Sequence, residues 1–193
     1  MKYFVLLIYL LCNYGCSQST SIDAVEKDII SDIIDRNAHG YPPPPPIDNK
    51  NFIISQQVLD SLDNVRYTVA IYPLMEDEIH ESSNKKLKAS VYYDIIISEK
   101  LAAKEIENLD GIVSEVGHTV MLADTSNLKG PAAFTKFDIL LNFSRIKFNK
   151  DATRAVFELG VSRGKLNSTA AIYCLKKEND KWYVDFIVPT TIS

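Results

Sequence analysis

Residues 137–188 constrain the fold more than any other part of the chain. Four β-rich runs follow one another there: Phe137–Phe148, Thr153–Ser162, Ser168–Lys177 and Lys181–Val188. Short polar segments separate them, Asn149-Lys150-Asp151, Arg163-Gly164-Lys165 and Glu178-Asn179-Asp180, built from residue types that favour tight reversals. Three of the runs alternate: Ala155, Phe157, Leu159, Val161; then Ala171, Tyr173, Leu175; then Trp182, Val184, Phe186, Val188. Successive side chains of a strand point to opposite faces, so alternation of this kind buries one face. Turns this short join antiparallel neighbours. The pattern predicts a four-strand antiparallel meander.

Upstream, Val65–Tyr72 alternates through Val65, Tyr67, Val69 and Ile71 and ends at Pro73, which reads as a strand. Val91–Ile97 and Thr119–Ala123 read as two more, and 124–130 as a loop. Ile22, Val25, Ile29, Ile30, Ile33 and Ile34 recur at helical spacing, with Thr20 and Asp23 at capping-box separation and an end expected near Asn37, before Gly40. The charges of this helix are mostly acidic, Asp23, Glu26, Asp28, Asp32 and Asp35 against Lys27 and Arg36. Anionic headgroups repel an acidic face, so the apolar stripe is expected to pack on the domain or a partner. A weaker helical patch covers Val58–Leu62, and Ser98 is placed to cap a helix carrying Leu101, Ile106 and Leu109, stopped at Asp110-Gly111. The expected class is α+β: a mainly antiparallel sheet, an N-terminal helix and one or two further helices. A curved sheet similar to nuclear-transport-factor-2-like folds is the specific expectation.

The start of the chain has a different character. After Met1-Lys2, ten residues from Tyr3 to Cys12 carry no charge. As a helix they span about 15 Å, half of a bilayer core, which suits a signal sequence and is too short for a membrane anchor. Asn13-Tyr14-Gly15-Cys16 follows. A small residue directly before a cysteine at this point resembles the lipobox of bacterial lipoproteins, although Asn13 stands where that pattern prefers Leu. The resemblance implies cleavage before Cys16 and a diacylglyceryl group on its thiol. Gln18 is not the Asp associated with inner-membrane retention, so the resemblance also implies the outer membrane; release as a soluble secreted protein is the alternative. Cys12 leaves with the leader and Cys16 is acylated, so Cys174 remains alone, a small buried hydrophobe in a strand pattern with no disulfide partner. Residues 16–46 read as a tether, the helix and a spacer in which Tyr41 precedes five prolines, Pro42 to Pro46, about 15 Å of polyproline II. Residues 47–193 read as the globular domain.

A second resemblance lies near the C-terminus. Phe143-Ser144-Arg145-Ile146-Lys147-Phe148-Asn149-Lys150-Asp151, Thr153 to Phe157, Tyr173-Cys174-Leu175-Lys176-Lys177 and Lys181-Trp182 together are similar to uncharacterised lipoproteins of the Bacteroidota, which carry a more glycine-rich turn than Gly160 and Gly164 supply. The resemblance supports an envelope location and implies no activity.

Hydrophobic residues make up 46% and charged residues 24% of the chain, globular usage that sets disorder aside. The formal charge is −4, and loss of Lys2 with the leader makes it one unit more negative. With its basic residues scattered, the chain lacks the positive footprint that phosphate binding demands, so no nucleic acid is expected as a partner.

The best metal candidates are Glu76, Asp77, Glu78, His80 and Glu81. His80-Glu81 opens like a zincin helix, but Asn84 stands where the second histidine belongs, and no calcium-loop spacing is present. A solvated loop is the expected reading, with no metal and no cofactor. His39 and His118 sit in turn-like surroundings; a Ser-His-Asp grouping assembles from distant positions, and no G-x-S-x-G elbow marks a nucleophile. Ser-x-x-Lys occurs at Ser82–Lys85, Ser83–Lys86 and Ser162–Lys165 without the companion elements of cell-wall acyl-enzymes. Asn142-Phe143-Ser144 and Asn167-Ser168-Thr169 are formal glycosylation sequons. The leading expectation is a non-catalytic envelope module that binds an unidentified protein or small ligand on the sheet. The rivals are an envelope hydrolase using Asp or Glu in a cleft and a toxin-immunity-type inhibitor.

Overall fold

A computed structural model describes residues 22–40, 53–79, 86–128, 135–164 and 167–192. The leader, Cys16, Thr20, the proline run, His80 and Glu81 lie outside the described residues.

The chain is α+β, with a mainly antiparallel sheet. Its described helices are α1 (Ala24–Asn37), α2 (Gln56–Asp63) and the short α3 (Tyr93–Ile96). The strands are β1 (Thr68–Ile71), β2 (Leu74–Met75), β3 (Lys104–Glu105), β4 (Thr119–Leu122), β5 (Ile139–Phe143), β6 (Lys147–Phe148), β7 (Arg154–Ser162), β8 (Ser168–Glu178) and β9 (Lys181–Ile192). The main sheet runs β4-β1-β5-β7-β8-β9, with β6 also on β7; β2 and β3 form a separate antiparallel pair. The expected meander is present as β5 and β6 followed by β7, β8 and β9, all antiparallel. Its first strand is broken after Phe143: Ser144 N still donates to Glu158 O at 2.8 Å, but Glu158 N donates to Ser144 Oγ, also at 2.8 Å, instead of to the backbone carbonyl. Asn179 and Asp180 take positive φ (50° and 62°) in the two-residue β8–β9 turn, the backbone that suits a tight hairpin and that Asn and Asp tolerate best.

The other half of the sheet is parallel. β1 lies between β4 and β5 and runs parallel to both. A central parallel strand is covered on both faces, and Val69, Ala70 and Ile71 are all buried rather than alternating.

Three expectations are corrected. The helix cap is Asp23, not Thr20: Asp23 Oδ1 accepts from Glu26 N at 2.9 Å and Glu26 Oε2 accepts from Asp23 N at 3.2 Å, a reciprocal capping box. Within residues 91–97, expected as a strand, Tyr93–Ile96 form α3 between turns. Tyr92, Ile95 and Ile96 are buried while Val91 and Ile97 are exposed, a spacing of three and four set by what the segment must cover. Residues 98–110, expected as a helix, are extended around β3. Lys104 and Ile106 are both buried, two residues apart, and Ile106 N donates to Pro73 O at 2.7 Å.

The core divides by sheet face. Ile29, Ile30, Ile33 and Ile34 of α1 pack with Ile139, Leu141, Phe143, Phe157, Leu159 and Tyr173 on one face. α1 is therefore part of the globular body, on the far side of the division drawn at 46/47. On the other face, Tyr92 just before α3 and Ile95 and Ile96 within it cover Val156, Ile172 and Cys174. Ala70, Ala123 and Phe137, with Met121, Leu128 and Leu140 against them, form a separate cluster there.

Candidate functional site

Between those two clusters, the second face of the sheet carries a strip of small and polar residues. The register sets it out in rows. Leu140 pairs with Ser162, which pairs with Ser168; Asn142 pairs with Gly160, which pairs with Ala170. On the next row Glu158 pairs with Ile172. Where neighbouring rows present Val156, Ile172 and Cys174, this one presents a glycine and an alanine, so its floor is sunken. Two adjoining hollows of about 170 and 320 Å³ occupy it, sharing Tyr72, Asn142, Gly160 and Ala170. Together they reach the size range of small-ligand sites.

The ends of the groove differ in chemistry. One is lined by Leu128, Leu140, Ser162 and Ser168, apolar groups and hydroxyls. The other is lined by Glu76, Glu78, Ser144 and Glu158. Glu158 is buried, and its Oε1 accepts from Thr190 Oγ1 at 2.8 Å. The groove thus offers apolar contact at one end and hydrogen-bond acceptors at the other.

The structure divides the acidic run. Asp77 is almost wholly buried, pairs with Lys147 Nζ at 3.1 Å and accepts the Leu101 N–H at 2.6 Å. Lys147 also donates to Ile96 O at 3.2 Å. Asp77 is thereby committed to a buried ion pair that ties the 76–79 segment to β6, while Glu76 and Glu78 face the groove. Among the described residues no group of three His, Cys, Asp or Glu side chains is gathered to hold a metal ion.

His118 lies near Ser114 and Asp35 without forming a catalytic relay. Ser114 Oγ donates to Asp35 Oδ1 at 2.5 Å and accepts the His118 backbone N–H at 2.9 Å. The ring is aimed elsewhere: its Nδ1 accepts from Tyr67 N at 3.2 Å. His39, expected to be structural or exposed, is exposed and hydrogen-bonds through Nδ1 to Arg36 O at 2.7 Å. Cys174 is buried, and burial, with the Asp185 charge second, pushes its thiol up to about 12, which makes it a poor nucleophile. The sequon residue Asn142 lines the groove.

The chain matches no family model, no curated protein and no solved structure. The reading of the groove therefore rests on its own residues.

Of its floor residues, Asn142 stood out in the sequence only as a formal sequon, and Gly160 and Ala170 not as a site at all. The available signal was Gly160 inside a run that otherwise alternates, since glycine within a strand marks a bulge or a close approach. What flanked it, Tyr72 to Glu78 after β1 and Leu128 after β4, depended on the parallel strands.

Proposed function

We propose that this chain is an exported envelope protein, anchored through a lipid on Cys16, that binds a ligand or partner in the groove across the second face of its sheet. The observation that carries the binding role is the strip at Asn142, Gly160 and Ala170, left open among the described residues and bounded on both sides by packed apolar clusters. Its chemistry suits a slender molecule, apolar along its length, with hydrogen-bond donors at the end near Glu76, Glu78 and Glu158. The lipobox-like Asn13-Tyr14-Gly15-Cys16 supports the anchorage. Among the described residues no helix is long and apolar enough to cross a membrane.

Palmitate labelling in a bacterial host tests the anchor: label in the wild type and none in Cys16→Ala is expected, and equal labelling refutes it. A panel of neutral alkyl alcohols followed by amide chemical shifts tests the groove. Shifts gathered at Asn142, Gly160 and Ala170 support it; shifts spread over the surface, or centred elsewhere, remove it.

A hydrolase is the second reading, favoured by the carboxylates at one end of the same groove. It predicts turnover of an envelope polymer that Glu158→Gln abolishes with the fold intact.

A further inference from the structure

His118 stands where three segments meet: the end of α1, the approach to β1 and the start of β4. Its side chain is almost wholly buried. Nδ1 accepts the Tyr67 backbone N–H at 3.2 Å, so that nitrogen carries no proton. The ring also hydrogen-bonds to the Ala38 backbone. Ala38 N–H is already spent on Ile34 O at 2.8 Å, which leaves its carbonyl as the partner and Nε2 as the protonated nitrogen. One neutral tautomer thus clasps α1 on one side and the first strand on the other.

Around it, Asp35 of α1 gathers the facing loop. It accepts from Ser114 Oγ at 2.5 Å, from Glu115 N at 2.8 Å and from Val116 N at 3.4 Å. Ser114 Oγ in turn accepts the N–H groups of Gly117 at 3.0 Å and His118 at 2.9 Å. The charged groups facing the ring are Asp35 from α1 and Arg66 from the approach to β1. The Tyr67 ring lies 5.8 Å away, tilted by 50°.

We propose that His118 is an acid-released latch, and that a proton taken up at Nδ1 frees the last turn of α1 and the 114–118 loop from the first strand. The proton comes from solvent and occupies the lone pair that now receives Tyr67 N–H. Two N–H groups then face each other across 3.2 Å, and a buried neutral ring becomes a buried cation. Burial is the strongest influence on the ring and holds its pKa below the ordinary histidine value; Asp35 favours the charged form and Arg66 opposes it. The depressed value places stability above about pH 6.5, where the unfolded ring is also neutral, and removes it as pH falls through the folded-state value. The meander is spared because, among the described residues, none of β5 to β9 supplies a partner to the ring.

Amide hydrogen exchange between pH 7.5 and 5, corrected for intrinsic rates, reads this. In the wild type, the Tyr67 amide, which loses its acceptor, and the Thr119 amide, which donates to Tyr67 O at 3.0 Å, should lose protection by about tenfold or more on acidification while β7 and β8 keep theirs. In His118→Asn, whose Oδ1 can accept the Tyr67 N–H and does not titrate, protection should stay level. Level protection in the wild type, or equal loss in both proteins, overturns the proposal. Should His118→Asn fail to fold, nitrogen chemical shifts of His118 in the wild type decide the matter. Protonation coincident with loss of protection supports the latch, and protonation with protection kept defeats it. Trp182, the single tryptophan, lines a recess with Asp28, Ser31 and Asp32 of α1, so its emission gives an independent report.

Discussion

Lys104 Nζ lies 2.5 Å from Glu26 Oε2, with both side chains buried. The bond joins the first turn of α1 to β3 across 78 residues of sequence, and the same Glu26 closes the capping box with Asp23. Breaking a buried pair from one side leaves an uncompensated charge, whereas removing both costs far less. Glu26→Gln or Lys104→Met alone should each destabilise by about 3–5 kcal/mol. The double variant Glu26→Leu/Lys104→Met should recover most of that loss. Urea unfolding midpoints with unchanged slopes would record it; additive losses would show that the two residues do not interact.

The isoleucine face of α1 decides whether the helix is a tether or a part of the body. Ile33 is fully buried, while Val25, on the same apolar stripe in sequence, is 40% exposed. Ile33→Ala should therefore cost about 2–5 kcal/mol through lost contacts and a cavity, and Val25→Ala should stay within about 0.5 kcal/mol. Equal effects in thermal unfolding would contradict this packing.

On the sheet's other face, Tyr92 Oη donates to Asp185 Oδ2 at 3.0 Å, and its ring meets Phe186 edge-on at 5.2 Å. Burial first, then the Asp185 hydrogen bond and charge, raise the phenol above its ordinary value. A raised pKa favours the protonated form in the folded state, so this stability is present below about pH 10 and lost as pH climbs beyond it. Tyr92→Phe should cost about 1 kcal/mol at pH 7 and show a shallower alkaline decline than the wild type. Parallel declines in melting temperature from pH 9 to 11 would count against it.

Cys174 should resist modification. At pH 7.5 a thiol pushed up to about 12 is almost wholly protonated, and the thiolate is the reactive form. Peptide mapping after treatment with a maleimide should find Cys174 unmodified in the folded chain and labelled in denaturant. Rapid labelling without denaturant would mean that α3 does not cover it.

Gly160 forms the groove floor, and a Cβ there would meet Asn142 Cβ at 3.6 Å and Asn142 O at 3.8 Å, ordinary contacts. Gly160→Leu should therefore fold with its melting temperature within a few degrees of the wild type while occupying the groove. Loss of the alkyl-alcohol shifts in a folded Gly160→Leu protein is expected; shifts unchanged from the wild type would place binding elsewhere.

Local chemistry determined the hairpins and α1. Alternation along β7, β8 and β9, with Asn179-Asp180 between the last two, specifies antiparallel neighbours within a few residues of one another, and the isoleucine period of α1 needs no distant partner to be recognised. Tertiary structure decided what had no local marker. Val91–Ile97 is as β-branched as a strand, yet Tyr93–Ile96 within it form α3 because the segment's buried side chains must cover Val156, Ile172 and Cys174. The Leu101, Ile106 and Leu109 spacing suits a helix, but pairing of β3 with β2 and the Glu26–Lys104 bond hold the segment extended. The groove was equally hidden. Its floor is one row of three strands, and its walls come from Tyr72, Leu74, Glu76 and Glu78 after β1 and from Leu128 after β4, residues far apart from the floor in the chain. Burial and register are properties of the assembled sheet, so no window of sequence contains them.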